Sequence, residues 1–550
     1  MSDTRGLADE LFDRVLTHQP FLATSLGVSG YDDRVTDVSA AAQQQAATEL
    51  RELAARGEAL TPDSPDEAIT RDCILHMASS GIAATEAAII DYTVGHVTDG
   101  PALVFYVASN THPATPQAAA DYLARAAGFA DYLDGCIERL RGGAAAGKLP
   151  VASLVDVVRG QVDAYLGGNA DPVAGVEPPA GWDGADAWRQ QLADICRDVV
   201  RPAFARYREL LDELAPRSRG DEQCGLVHVD GGAESYAKLV HVHTTLDLTA
   251  EQVHAIGLEA AEALREEMLA LGAELGLTSY DVLQAAARAA STGSDAQQAM
   301  AGAREAVRRA EERVPDFFAP PYPPPCRVEA MNEHLAKAGM APHYTPPSAD
   351  GAREGTYWFN AEVPGLGAGW DRETTAYHEA VPGHHLQVAR VAGMSDLPML
   401  QSHGFVTAYL EGWGLYAELL ADEMGLYTST EQRIGALAMR LLRAGRLVVD
   451  TGMHALGWSK SRAVGFFRDW MIVPEQFAES EINRYICAPG QALAYYIGLR
   501  EILLLREQAR ERLGDRFTPA GFHSAVLDAG TLPLPALATA VDSWVSAPAG

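Results

Sequence analysis

Residues 377–385 read Tyr-His-Glu-Ala-Val-Pro-Gly-His-His, and this stretch holds the chain's densest group of chemistry-bearing side chains. Imidazole is the commonest metal ligand among side chains, and a neighbouring carboxylate can carry protons. His378-Glu379 begins like H-E-x-x-H, in which two zinc ligands sit one helical turn apart and the glutamate acts as a base. Four residues after His378 stands Pro382, which has no ligand atom; histidines return only as His384 and His385. On an ideal helix His384 is about 240° round from His378, and His385 shares its face but lies about 10 Å along the axis. Neither can share a metal with His378 unless the helix breaks. Proline supplies the break, because it lacks an N–H and disfavours helical geometry at Val381. A kink at Pro382-Gly383 that absorbs two residues brings His384 back to one-turn distance. The competing reading is a proline-kinked helix whose histidines are there by chance. With only 16 histidines in 550 residues, three within eight positions favour the metal site.

A zinc site needs a third protein ligand. In the segment AYLEGWGLYAELLADEMG (408–425), Glu411, Glu418 and Asp422 recur at helical spacing on one face. Glu411 is the expected ligand, with Glu418 behind it to orient the site. A solvated acidic face is the alternative, and the surrounding Trp413, Leu415, Tyr416 and Leu419 argue against it. Further along, Asp450 and His454 are four apart on an expected helix, where a carboxylate can orient an imidazole. Arg484, Tyr485, Gln491, Tyr495 and Tyr496 cluster in INRYICAPGQALAYYIG (482–498). A tyrosine hydroxyl near a metal can donate to an oxyanion, and an arginine can pair with a substrate carboxylate. Core packing and a surface ion pair are the plainer roles for these residues. His241-Val-His243 is a further chelate candidate, though an alternating strand over 235–246 is the stronger reading.

The elements that must position these groups read as mostly helical. Helical spacing covers 115–150, 153–166, 184–214 and 249–276, with Thr249 and Gln252 as a capping box. Asp371 is the expected N-cap of the His378 helix. Strand character is confined to 235–246 and GTYWFNA (355–361). The five-proline stretch FFAPPYPPPCRV (317–328) reads as a junction between an N-terminal helical half (1–316) and a C-terminal half (329–550) that carries the site, the two forming one catalytic unit. The net charge of −31 disfavours nucleic acid as a partner. The start shows no apolar signal region, no run of 18 apolar residues suggests a membrane span, and six scattered cysteines form no C-x-x-C. A reduced, cytoplasmic protein is expected. Oligomeric state is not legible.

The motifs AYHEAVPGHHLQ, YLEGWGLYAE, DTGMHALGW and PGQALAYYIG, with DGAREGTYWFN and the opening PFLATSLGVSGYDDRVTDVS, together resemble the bacterial family catalogued as domain of unknown function 885. That family looks like a set of mostly helical zinc metallopeptidases, similar in style to thermostable carboxypeptidase Taq, thimet oligopeptidase and angiotensin-converting enzyme. The resemblance implies a large helical architecture with a deep central cleft and a small β element near the site. It implies one Zn²⁺ per chain on His378, His384 and Glu411, because such enzymes carry Gly-His at the second ligand. It implies Glu379 as base and Tyr495, with His454, as oxyanion stabiliser. His385, Glu418, Asp450, Arg484, Tyr485, Gln491, Tyr496 and Arg353 are then the supporting or substrate-facing residues. Tyr496 stands where the family commonly has lysine. EGTYWFNAEVP is expected to supply an edge strand to an extended peptide. The expected activity is hydrolysis of short peptides by zinc-activated water. The rivals are a zinc hydrolase or lyase acting on a non-peptide amide or a biosynthetic intermediate, and an inactive binding protein.

Overall fold

The computed structural model describes residues 3–96, 99–168, 171–292, 295–331, 336, 341–347, 354–360, 369–392, 394, 396–473 and 475–547. The fold is mostly α, with one small sheet. The expected helices form where alanine, leucine and arginine recur at helical spacing. Pro116–Ala145 starts at Thr115, whose hydroxyl accepts from the Ala118 N–H at 3.1 Å. Ala250–Glu274 starts at the Thr249/Gln252 capping box, with both reciprocal hydrogen bonds made.

The stretch 235–246 corrects the sequence reading. It lies in a helix, Gly232–Thr244, that buries Tyr236, Leu239, Val240 and Thr244. That spacing is helical, and burial of one face overrides the β preference of its valines and threonines. His241 Nδ1 lies 3.1 Å from Asp247, while the half-buried His243 lines a cavity, and neither belongs to the group of gathered ligand atoms found among the described residues.

Helix Thr430–His454 is the centre of the molecule, buried on every side over most of its length. Ala250–Glu274 lies against it so closely that a Cβ on Gly257 would meet the Leu447 Cβ at 2.7 Å. Two hydrophobic cores flank it. One joins Leu7, Leu11 and Ile74 to Trp413, Ile497 and Leu537; the other joins Phe129, Val158 and Phe204 to Leu441, Val448 and Ile482. Each therefore draws on both sides of the proline-rich stretch.

That stretch is a strap rather than a spacer. Arg390 donates to the carbonyls of Ala319 (2.6 Å) and Pro321 (2.9 Å), and His385 Nε2 lies 2.7 Å from the Pro324 carbonyl. It ends in β1 (Arg327–Ala330), which pairs in parallel with β3 (Thr356–Phe359); β2 (His343–Thr345) pairs antiparallel on the other side. β3 is thus the central strand of the order β1-β3-β2. The expectation that it offers a free edge to a peptide is overturned, because both its edges are already hydrogen-bonded.

An 18-residue window within Pro65–Asp91 has a mean hydropathy of 1.4, so by length and composition this helix could span a membrane, although it contains no uninterrupted apolar run. In the fold its Ile69, Cys73, Ile74 and Ala78 pack into the first core.

Candidate metal centre

The helix break falls where proline and glycine place it. Arg372–Glu379 ends just after His378, and His384–Ala392 begins at His384. Between them the chain doubles back tightly enough that a Cβ on Gly383 would lie 1.9 Å from the His378 carbonyl oxygen and 2.4 Å from that of Tyr377. Only glycine fits that approach. The His385 N–H bonds to the Ala380 carbonyl at 3.0 Å, and the Trp413 indole donates to the Pro382 carbonyl at 3.0 Å, fixing the turn to the next helix. Asp371 occupies the N-cap position, but its carboxylate accepts from the Gly369 N–H (3.2 Å) instead of capping the helix.

His378 and His384 consequently face each other, ring centroids 4.7 Å apart and nearly perpendicular. The third group comes from Thr407–Glu423. Glu411 Oε2 lies 3.3 Å from His378 Nε2 and 3.6 Å from His384 Nε2. Ligand atoms about 2.0–2.2 Å from a tetrahedral zinc stand roughly 3.3–3.6 Å from one another. Among the described residues this is the one group of three or more His, Cys, Asp or Glu side chains with ligand atoms so gathered.

One helix face supplies three functions to His378. Glu411 provides the candidate ligand oxygen. Gly414, three residues on, provides a floor so close that a Cβ there would meet His378 Cε1 at 2.6 Å. Glu418, a turn further, accepts from His378 Nδ1 at 2.8 Å. That hydrogen bond places the ring proton on Nδ1 and leaves the Nε2 lone pair facing Glu411. Asp422, next in the series, is exposed and paired with Arg433.

Glu411 Oε2 is buried and, among the described residues, has no hydrogen-bond partner of good geometry beyond the approach of the two histidine rings. Lone pairs of two imidazoles and a carboxylate therefore converge with no donor between them, an arrangement that a cation relieves. Without one, a proton is the substitute: burial opposes charge on His378, but Glu411 and Glu418 outweigh it and push its pKa up to about 9. Burial likewise opposes ionisation of Glu411, and the two histidines overcome it, holding its carboxyl well below the usual range. The donor set and its field fit a divalent metal of the zinc type.

Glu379 follows His378 directly, is half-buried, and is near enough to act electrostatically on His378, Cys326 and Tyr357. Tyr495 comes from Ala494–Leu513, which meets the Glu411 helix backbone to backbone: a Cβ on Gly498 would lie 1.9 Å from the Ala408 carbonyl oxygen. Burial and then the Glu411 charge raise the Tyr495 pKa, so its phenol stays protonated. Gln491 hydrogen-bonds Tyr495 and accepts from Arg484 Nη1 at 2.7 Å. Gln491 also joins Thr407 in lining a cavity of about 300 Å³, whose other walls include Cys73, Met77, Val242 and Leu400.

Several expected site residues have other work. His454 is fully buried; its Nδ1 accepts from the Leu226 N–H at 3.2 Å and its Nε2 donates to the Tyr485 carbonyl at 3.0 Å, so no ring atom remains for an oxyanion. Asp450 does not orient His454; it accepts from the Tyr236 hydroxyl (2.6 Å) and the Gly490 N–H (3.0 Å). His385 is buried between the Pro324 carbonyl and the Tyr344 hydroxyl of β2, tying strap and sheet to the metal turn. The Tyr485 hydroxyl is bound by Arg446 and Glu481. Tyr496 sits in the field of Arg440, Arg500 and Glu259 rather than of Glu411. Arg353, with residues 361–364 of the expected substrate strand, lies outside the described residues. Sequence reasoning missed Gly414, Arg446 and Glu481. A glycine inside a buried helix and an arginine four residues before Asp450 in an apolar run were the available signals.

The family described as "Bacterial protein of unknown function (DUF885)" matches residues 20–541. This chain belongs to that family. Among solved structures, the DUF885 chain is similar to a candidate lipoprotein from Colwellia psychrerythraea, at 24% identity and a TM-score of 0.90 over 98% of each chain. It is also similar to a candidate lipoprotein of unknown function from Shewanella oneidensis, at 17% identity and a TM-score of 0.73, covering 98% of this chain and 99% of that one. At these identities the likeness is one of fold. No curated protein matches the chain.

Proposed function

We propose that this DUF885 protein is a zinc-dependent peptidase acting on short peptides. The observation that carries the reading is the convergence of His378 Nε2 and His384 Nε2 on Glu411 Oε2, at 3.3 and 3.6 Å, with a carboxylate next in sequence to His378. When bound, the ion supplies Lewis acidity, polarising a carbonyl and acidifying a water. Glu379 takes the proton from the attacking water and returns it to the departing amine. Tyr495, protonated at neutral pH, donates a hydrogen bond to the oxygen that becomes negative as the carbonyl is attacked. Glu418 holds His378 in the tautomer and orientation that ligation requires.

Digestion of a peptide library, read by mass spectrometry, tests the proposal with zinc-loaded wild type and Glu379→Gln. Wild type is expected to cleave short peptides. Glu379→Gln is expected to keep its metal and lose at least about 10²-fold in turnover. Near-wild-type turnover by Glu379→Gln, or no cleavage by a zinc-loaded wild type, rejects it.

A further inference from the structure

Beside Tyr495 lies a buried group of charges that the hydrolytic machinery does not use. Helix Thr430–His454 contributes Arg446, and Glu475–Cys487 contributes Glu481 and Arg484. Glu481 is the shared anion. It accepts from Arg446 Nη2 at 2.9 Å, from Arg484 Nε and Nη2 at 3.0 Å each, and from the Tyr485 hydroxyl. Two guanidinium groups thus lean on one carboxylate, leaving an excess of one positive charge.

Among the described residues, Glu481 is the one carboxylate that forms an ion pair with either arginine. Asp450 acts weakly on Arg484, but its oxygens are turned to Tyr236 and Gly490, and burial pushes its pKa up to about 7. The metal centre has its own balance: Glu379, Glu411 and Glu418 stand against a divalent cation and Arg443, which lies 3.9 Å from Glu418. A buried charge without a counter-charge is costly, so an anion arriving from outside is favoured.

The group is built to meet one. Arg446 is 6% exposed, its Nη1 has no hydrogen-bond partner among the described residues, and its guanidinium lies 4.5 Å over the Tyr495 ring. Arg484 is the accessible member, with 22% of its side chain exposed, and it reaches Gln491 on the wall of the 300 Å³ cavity. Tyr495 in turn lies within the field of Glu411. The excess charge therefore sits one tyrosine away from the expected point of attack. A planar guanidinium edge suits a carboxylate, and a single excess charge suits a monoanion.

We infer that the Arg446–Glu481–Arg484 group is a carboxylate subsite that reads the free C-terminus of a short peptide, so that the enzyme removes residues from that end. Arg484 makes the contact, and Arg446 is a positioning residue that supplies the charge behind it. This rests on the peptidase reading above for the bond that is broken, though not for the anion bound.

Calorimetric binding to zinc-loaded Glu379→Gln protein tests it, with trialanine, trialanine amide and Ala-Ala-Glu amide as probes. Trialanine is expected to bind at least about tenfold more tightly than either amide, as loss of a charge-assisted pair implies. Adding Arg484→Met or Arg446→Met should remove that preference and leave the zinc content unchanged. Equal affinity for trialanine and its amide, including no measurable binding of either, overturns the inference whether or not the variants fold. So does tight binding of Ala-Ala-Glu amide, which would make the subsite one for an acidic side chain. Peptides cleaved equally as acids and amides would remove the subsite and leave the peptidase. Acid-selective binding by a protein that cleaves nothing would do the reverse.

Discussion

His378 Nδ1 and Glu418 Oε1 lie 2.8 Å apart in a fully enclosed setting, and the second Glu418 oxygen has no hydrogen-bond partner among the described residues. A buried carboxylate left half-satisfied is expensive, and its one good contact is to the imidazole of a candidate metal ligand. Glu418→Gln keeps an acceptor but removes the charge that makes His378 a better donor to a metal. Zinc affinity, measured by competition with a chromogenic chelator, is expected to fall about 10–100-fold. Unchanged affinity would mean that Glu418 serves packing alone.

Gly414 tests the floor of the same ring. Because a Cβ there would meet the His378 ring at 2.6–2.9 Å, Gly414→Ala must displace the imidazole. Alanine favours helix over glycine by about 1 kcal/mol, so the helix itself is not weakened. The expected outcome is a folded protein, by circular dichroism, with zinc affinity reduced at least about tenfold, since ligand placement tolerates little error. Full zinc occupancy at wild-type affinity would show that the ring has room to move.

The clustering of the candidate metal ligands was legible because their geometry is local or periodic. A proline, a glycine and helical spacing are enough to bring His384 back to His378 and to put Glu411 and Glu418 on one face. What the sequence hid was long-range. Asp450 and His454 are well spaced to pair with each other, yet Tyr236 and the Leu226 N–H, more than 200 residues away, claim them first. Whether β3 was an edge or a centre depended on β1, which the proline-rich strap delivers from nearly 30 residues upstream. The valines and threonines of 235–246 resemble a strand until one face is buried. Arg446 stands out in its apolar run, but the sequence does not tell whether its charge has a partner, because Glu481 comes from another helix.

His454 makes a prediction about pH. Burial, opposed by its hydrogen bond to the Tyr485 carbonyl, lowers its pKa to about 4, against about 6.5 for an unfolded histidine. Between those values the unfolded chain binds the extra proton and the folded one does not. Stability is therefore lost as pH falls from about 6.5 through about 4, by roughly 3 kcal/mol at most from this residue. His454→Gln is expected to show a shallower decline in denaturant midpoint over that range than wild type. His76 and His243 are also held to about 4 by burial, so some decline remains. Parallel curves for the two proteins would contradict a buried neutral His454.

The two adjacent histidines separate the metal site from its scaffold. His384 Nε2 faces Glu411 Oε2 at 3.6 Å, whereas His385 is spent on the Pro324 carbonyl and the Tyr344 hydroxyl. His384→Ala leaves two protein ligands, and zinc is expected to be absent after dialysis against a weak chelator. His385→Ala should retain one zinc per chain while losing about 1–3 kcal/mol of stability, because it unties the strap and β2 from the turn. Zinc stoichiometry and thermal midpoint, measured on both variants, decide the matter. A metal-free His385→Ala beside a zinc-loaded His384→Ala would mean that the turn at Pro382-Gly383 presents the other ring, and that the seven-residue spacing is the ligating one.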